Sequence, residues 1–272
     1  MPSWWTPHIF DSIYNGLLPE PHASLIKGIV FGIPLSKSSY LYQQLQIVGL
    51  LHIVVLSGMN ISILLQITQT ILGRLSKIYV NMLSILILII FISFVGIQAP
   101  ILRAGIMGLL TLVSLLTGKK RTTLLLLLVS AVISLCIWPE WISSISFQLS
   151  YAATVGIVLF GQTQKSQEVG QSILSNFFNY IKQELRITMS AQIFTIPLIA
   201  YHFRQLSIIS PIANIVISWT ITPIMILGLL LPIINELKLL SIPTSYILYI
   251  LLQFLILTVN ILSSIPFANI SW

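Results

Sequence analysis

Apolar residues run along this chain in long blocks, each close to the length of a membrane-crossing helix. A helix needs about 20 residues to cross the hydrocarbon core of a bilayer. Blocks of that order cover 47–73, 79–98, 100–117, 123–138, 142–161, 186–203, 207–232 and 244–265. Strand-length alternation, the mark of a membrane barrel, is missing. The pattern predicts an all-α, polytopic helical membrane protein with about eight transmembrane helices. The stretch Leu25–Pro34 is too short to cross and carries Gly28 and Gly32, which suits a re-entrant or interfacial segment. Trp4 and Trp5 suit an interfacial anchor, so residues 1–24 read as an N-terminal amphipathic segment ahead of one membrane domain over 25–272.

Composition agrees. Hydrophobic residues make up 56% of the chain, charged residues only 7%, and the mean hydropathy is +0.99. Soluble domains carry about 25% charged residues. The 13 basic residues outnumber the six acidic ones and sort by loop. Arg74, Lys77, Lys119, Lys120, Arg121, Lys165, Lys182, Arg186 and Lys238 fall on one side; Lys27, Lys37, Arg103 and Arg204 fall on the other. The richer side is expected to be cytoplasmic, which turns both termini outward. The start, MPSWWTPHIFDSIYNG, lacks a basic segment followed by an apolar core, so no cleavable signal peptide is expected. No repeat of fixed period appears, and the most polar loop is Gly161–Gly170. A single cysteine, Cys136, precludes an internal disulfide. His8, His22, His52 and His202 are scattered, without metal-ligand spacing, and no glycine-rich phosphate loop occurs. The expected chemistry therefore involves no cofactor, no metal and no nucleotide-driven motor.

Polar residues recur on helical faces within the apolar blocks. Thr188, Gln192, Thr195 and His202 share one face; Ser210, Asn214, Ser218 and Thr222 share another. Arg103, Met107, Thr111 and Ser114 form a third stripe, followed by Ser144, Gln148 and Tyr151, then Tyr246, Gln253 and Asn260. Such stripes turn inward, either as bonds between helices or as the lining of a hydrated path. Pro197, Pro211, Pro223 and Pro232 interrupt the later spans, and each removes a backbone donor. In LLHIVVLSGMNIS, residues 50–62, His52, Ser57, Gly58 and Asn60 stand inside an apolar block. An interrupted helix opening on a cavity and a continuous helix with a packing notch both account for them. Ser57 with His52 could serve as nucleophile and base, but the six acidic residues lie in loops or the N-terminal segment, so no carboxylate orients such a pair. Arg103, just after Pro100, is either an interfacial anchor or a pore residue.

HIVVLSGMNI resembles the histidine–x4–Ser-Gly motif of the ComEC competence-protein family, inner-membrane channels for DNA uptake. LPEPHASLIKGIVFG, APILRAGIMGLL, ISFQLSYAATVGI and AQIFTIPLIAYHFRQLSIISPIANI are similar to further blocks of that family, in family order. By matching position the resemblance marks His52, Ser57, Gly58, Arg103, Gln148, Ser150, Gln192, Pro197, His202, Pro211 and Asn214. Asn60 stands where many members have a second histidine, which removes a paired-histidine site. Full-length relatives commonly add an oligonucleotide-binding-like and a metallo-β-lactamase-like domain. Neither fits in 272 residues that are mostly membrane, which leaves a minimal or split member or a channel-only fragment.

The resemblance implies passage of single-stranded DNA across the bacterial cytoplasmic membrane during natural transformation, through a passive polar-lined channel. His52, Ser57, Gly58, Asn60, Arg103, Gln148, Ser150, Gln192, His202 and Asn214 are the expected lining. Phe147, Tyr151, Tyr201 and Phe203 are rings available for stacking on bases. The implied partners are single-stranded DNA, membrane lipid, a separate nuclease and a cytoplasmic helicase-like motor, with a homo-oligomer as the alternative to a monomer. A small-solute secondary transporter is the main rival, although no paired halves are visible; an intramembrane hydrolase is the weaker one. The charge sorting carries a direct expectation. A reporter fused near Lys120 reads out as cytoplasmic and one near Glu140 as external; both on one side would overturn the span assignment.

Overall fold

The structure, a computed structural model, describes residues 8–54, 58–96, 98–116, 122–161 and 173–271. It is all-α apart from a short ribbon. Four short helices come first: α1 (His8–Leu17), α2 (His22–Phe31), α3 (Tyr40–Val48) and α4 (Leu51–Val54). Gly32 and Gly49 end α2 and α3 in left-handed backbone, with φ of 67° and 76°, a conformation that costs glycine nothing. Next come α5 (Gly58–Ile71), α6 (Lys77–Val95), α7 (Ala99–Leu116) and α8 (Thr123–Ile137), the last begun by Thr122, whose side chain accepts from the Leu125 amide. A 3-10 turn at Pro139–Ser143 leads into α9 (Ile145–Gly156), which widens into a π turn at Ile157–Gly161. The long α10 (Ile173–Phe203) precedes β1 (Gln205–Ser207), α11 (Ser210–Ile234), α12 (Lys238–Ser263) and β2 (Asn269–Ser271). β1 and β2 pair antiparallel, with Gln205 opposite Ser271.

Several expected spans are redrawn. The block 47–73 is not one helix, because Gly49 terminates α3 and the chain restarts twice. The short stretch at Leu25–Pro34 covers the last seven residues of α2 and the turn after it; α2 is a ten-residue helix buried at eight positions. At 1.5 Å per residue it is about 15 Å long, half a hydrocarbon core. The block 186–203 is the later part of a helix that starts at Ile173, and the ribbon was not expected at all. Two helices, α11 and α12, are long and apolar enough to cross a membrane; α2, α6, α7, α8 and α9 are shorter apolar helices. Trp4, Trp5, Ser57, Lys119, Lys120, Arg121 and Lys165 lie outside the described residues.

α11 is the element both cores share. One core joins α1 to α4 with α11 and α12, through Leu25, Ile26, Leu45, Val54, Ile217, Ile224, Leu248 and Leu255 among others. The second joins α5, α6 and α7 to Met225 of α11, through Ile61, Leu88, Phe91 and Ile101. α9 lies against α10 so closely that a Cβ on Gly156 would collide with the Ser190 carbonyl. On α6 and α8 many apolar positions face outward while polar ones are buried. Met82, Leu86, Ile89 and Ile90 of α6 and Leu125, Leu128 and Val132 of α8 are exposed, whereas Ser84, Ser130 and Ser134 are buried. Water would favour the reverse arrangement.

Pro232 removes the amide that would bond the Gly228 carbonyl four residues back. The buried Tyr14 hydroxyl takes over, donating to Gly228 O at 2.6 Å. Tyr14→Phe therefore strands a buried acceptor and is expected to cost about 1–3 kcal/mol, read as a lower unfolding temperature in detergent. Gly156→Val overpacks the α9–α10 contact at a cost of at least about 1–3 kcal/mol. Gly16→Ala, with open space around its Cβ, leaves the unfolding temperature unchanged or slightly raised.

Candidate functional site

The turn between α3 and α4 is where the sequence-marked residues begin to converge. α3 closes with Gly49 N–H donating to Gln46 O at 3.1 Å and Leu50 N–H to Leu45 O at 2.8 Å, a Schellman pattern. The absence of a Cβ on Gly49 lets the turn sit on the start of α11; a Cβ there would lie 2.9 Å from Ser207 Cβ and 3.0 Å from Ser210 Cβ. His52, on the single turn of α4, donates from Nδ1 to Gly49 O at 3.1 Å, and the Asn214 side chain of α11 lies beside its ring. Asn214 lies one helical turn beyond Ser210, whose Oγ accepts from Gln192 Nε2 of α10 at 3.3 Å. Beside them Gln46 Nε2 donates to Gln205 Oε1 of β1 at 3.2 Å. Three expected residues, His52, Gln192 and Asn214, are thus assembled from three separate helices. Gln46, Gln205 and Ser210 complete the cluster and were missed as site residues. Ser210 was visible only as part of a stripe; the two glutamines sit on no stripe, since their pairing depends on a contact spanning 159 positions.

Arg103 forms a second node. Its Nη1 donates to the Ser150 carbonyl and to Thr154 Oγ1, tying α7 to α9. Thr154 Oγ1 itself donates to Ser150 O at 2.9 Å. Arg103 is 9% exposed, and its Nε has no partner among the described residues. The expected stripe does not continue from it: Thr111 is exposed and bonds back to Met107 O in its own helix, while Arg103 is buried. The arginine is neither a snorkelling anchor nor free toward a lumen here; two of its contacts are spent on α9. Nearby on the same helix, the Tyr151 hydroxyl meets Ser130 Oγ of α8 at 3.1 Å.

Of the remaining expected residues, Asn60, Gln148 and His202 each bond a backbone carbonyl. Asn60 is 1% exposed and donates from Nδ2 to Ile29 O at the end of α2, at 2.7 Å, rather than facing an open cavity. Gln148 donates to Ile142 O at 2.9 Å, closing the 3-10 turn before α9. His202 donates from Nδ1 to Leu198 O at 3.0 Å and stays outside the His52 cluster's bonds. Gly58 opens α5, and Ser57 lies outside the described residues. Three hydroxyls of the stripes, Thr111, Thr195 and Ser218, bond carbonyls four positions back in their own helix, and Ser218 Oγ also meets the Tyr180 hydroxyl of α10 at 3.2 Å. His22 is buried: its Nε2 donates to Gln253 Oε1 at 2.8 Å, and its ring stacks on Tyr249 at 4.5 Å.

The clusters share a chemistry. They combine amides, hydroxyls and imidazole, and no carboxylate bonds Arg103 or His52 among the described residues. Groups of this kind can replace hydration around an anion while holding it weakly.

Comparison with known proteins gives the chain its place. The family model described as "Competence protein" matches residues 29–272. "ComE operon protein 3" of Bacillus subtilis (strain 168) is 24% identical over 226 residues, which cover 81% of this chain and 28% of that protein. An "Uncharacterized protein" of Aquifex aeolicus (strain VF5) is 26% identical over 200 residues, covering 74% of this chain and 44% of the relative. The chain thus aligns with less than half the length of either relative. No solved structure matches it. With the family model covering nearly the whole length, from the end of α2 to the last residue, the chain belongs to the competence-protein family.

Proposed function

We propose that this chain is the membrane channel through which single-stranded DNA crosses the bacterial cytoplasmic membrane during natural transformation. Membership of the competence-protein family supports a role in DNA uptake. The observation that carries the transport reading is the inside-out packing: apolar helix faces are exposed, while Arg103, Asn60, Ser84 and Ser130 are buried. Such faces are satisfied by lipid, and buried polar groups in lipid mark a substrate route or a structural tie. In this reading the chain crosses the membrane about eight times, with both termini outside. The His52, Gln192, Ser210 and Asn214 cluster then lies toward the outer side, where the chain re-enters after β1.

The conduit is passive. Uncharged amides and hydroxyls give a translocating phosphate weak, replaceable partners, and Arg103 adds one positive charge to the interior. The energy comes from a cytoplasmic helicase-like motor, and a separate nuclease supplies the single strand. The basic loops on the cytoplasmic side attract the emerging strand by charge. A small-solute transporter would share the broken helices, but nothing specific here favours it.

Uptake of labelled DNA in a deletion strain complemented with this chain tests the reading. Complementation is expected, and full abundance without uptake would count against a channel made of this chain alone. Asn214→Leu, which removes the amide beside His52 without emptying the site, is expected to lower uptake about ten-fold at normal abundance; unchanged uptake would remove the cluster from the route. Arg103→Gln retains an amide able to donate to Ser150 O but loses the charge. It is expected to insert normally and to lose most uptake, with Arg103→Lys intermediate. Parallel loss of protein and uptake would instead make the arginine a structural tie.

A further inference from the structure

The ribbon between β1 and β2 has no role in the proposed channel, yet it sits over the polar cluster. Gln205 of β1 bonds Gln46, and Ser207 packs against Gly49, the turn that carries His52. Four rings were available for stacking in the sequence, and the structure divides them. Phe147 is 8% exposed and lies 4.4 Å from Tyr151, whose hydroxyl is held by α8, so these two are packing residues. Tyr201 and Phe203 are 81% and 48% exposed, and a third ring, Phe267, is 85% exposed.

These three rings bracket the ribbon. Phe203 precedes β1 by two residues, at the end where Gln205 faces Ser271; Phe267 precedes β2 by two, at the end where Ser207 faces Asn269. About 10 Å of strand separates the two ends. The strands between them are polar on several positions: Gln205, Ser207, Asn269 and Ser271. Arg204 is exposed between Phe203 and β1, held at a φ of 50°. Residues 185–235 and 237–272 contain no Asp or Glu, so no carboxylate of these segments neutralises it.

We propose that this rim is a docking platform for single-stranded DNA, with Tyr201, Phe203 and Phe267 stacking on bases and Arg204 contacting a phosphate. The inference rests on the channel reading and adds to it the place where the strand first binds. Exposed rings beside an unneutralised cation are the composition that binds single strands without sequence preference, because every base offers a π face. An interfacial lipid belt would also use exposed rings. Two features favour DNA: the rings lie at the end of α10 and beside a ribbon with polar side chains, and the ribbon is continuous with the amide cluster.

The test uses this 272-residue chain in nanodiscs of zwitterionic phosphatidylcholine. Fluorescence anisotropy follows a labelled oligothymidylate of about 20 nucleotides and a matched oligomer of abasic spacers. The wild type is expected to bind the thymidylate more tightly than the abasic strand. Tyr201→Ala, Phe203→Ala and Phe267→Ala each weaken thymidylate binding roughly ten-fold, and the triple variant binds both oligomers alike. Arg204→Gln lowers the slope of log affinity against log salt by about 0.7 for either oligomer. Wild-type and triple-variant proteins that bind both oligomers equally would overturn the platform while leaving an electrostatic channel standing. Loss of nanodisc incorporation by the triple variant, with affinity for both oligomers intact in the fraction that inserts, would make the rings a lipid anchor. No thymidylate binding by the wild type would overturn the channel reading itself, and the platform with it.

Discussion

A backbone carbonyl released inside hydrocarbon finds no water, and every break in these helices releases some. The polar side chains of this protein are spent largely on that problem. Pro232 frees the Gly228 carbonyl, and Tyr14 from the first helix satisfies it. The end of α2 leaves Ile29 O open, and Asn60 reaches it from α5. The π turn after α9 leaves Phe160 O, which accepts from Arg186 Nε at 2.7 Å. Gln148 and His52 serve the carbonyls of Ile142 and Gly49 in the same way, and Arg103 adds a bond to the Ser150 carbonyl within α9. Each bond lets a broken element exist and also fixes which neighbour it packs against.

The short N-terminal helices show what this permits. α2 is too short to cross a membrane, yet it is buried on nearly all sides. It can be buried because Gly28 accepts the Val54 side chain at contact distance and Gly228 makes room for Ile26 and Val30. A helix with such close neighbours and a bonded C-terminus carries little exposed backbone. α11 supplies the surface for both cores, so the polar cluster at its first turns is anchored to the element the two cores share.

That anchoring bears on transport. His52 and Gln192 stand 140 positions apart in the sequence, and only the start of α11 brings them near one another. The groups there are neutral amides, a hydroxyl and an imidazole, which bond an anion or one another at similar cost. Bonds among side chains in this arrangement are therefore exchangeable with bonds to a phosphate, whereas a carboxylate partner would compete with it.

By itself the sequence determined the helical class, the apolar character and the family blocks, because hydropathy, helix period and short motifs are local properties. It also located the trouble at Gly49 to Asn60, since polar residues in an apolar run are conspicuous wherever they point. Their partners were decided only by tertiary structure. Arg103 and Thr111 share a helical stripe, but one is buried against α9 and the other exposed, because the neighbouring helix covers only part of the face. Asn60 looked like a cavity residue and proved to hold α2, a contact 31 positions away. Gln46 and Gln205 carried no pattern at all. Periodicity tells which residues share a face; what lies opposite that face depends on long-range packing, and in this fold the packing is set by glycine notches and freed carbonyls that no local period encodes.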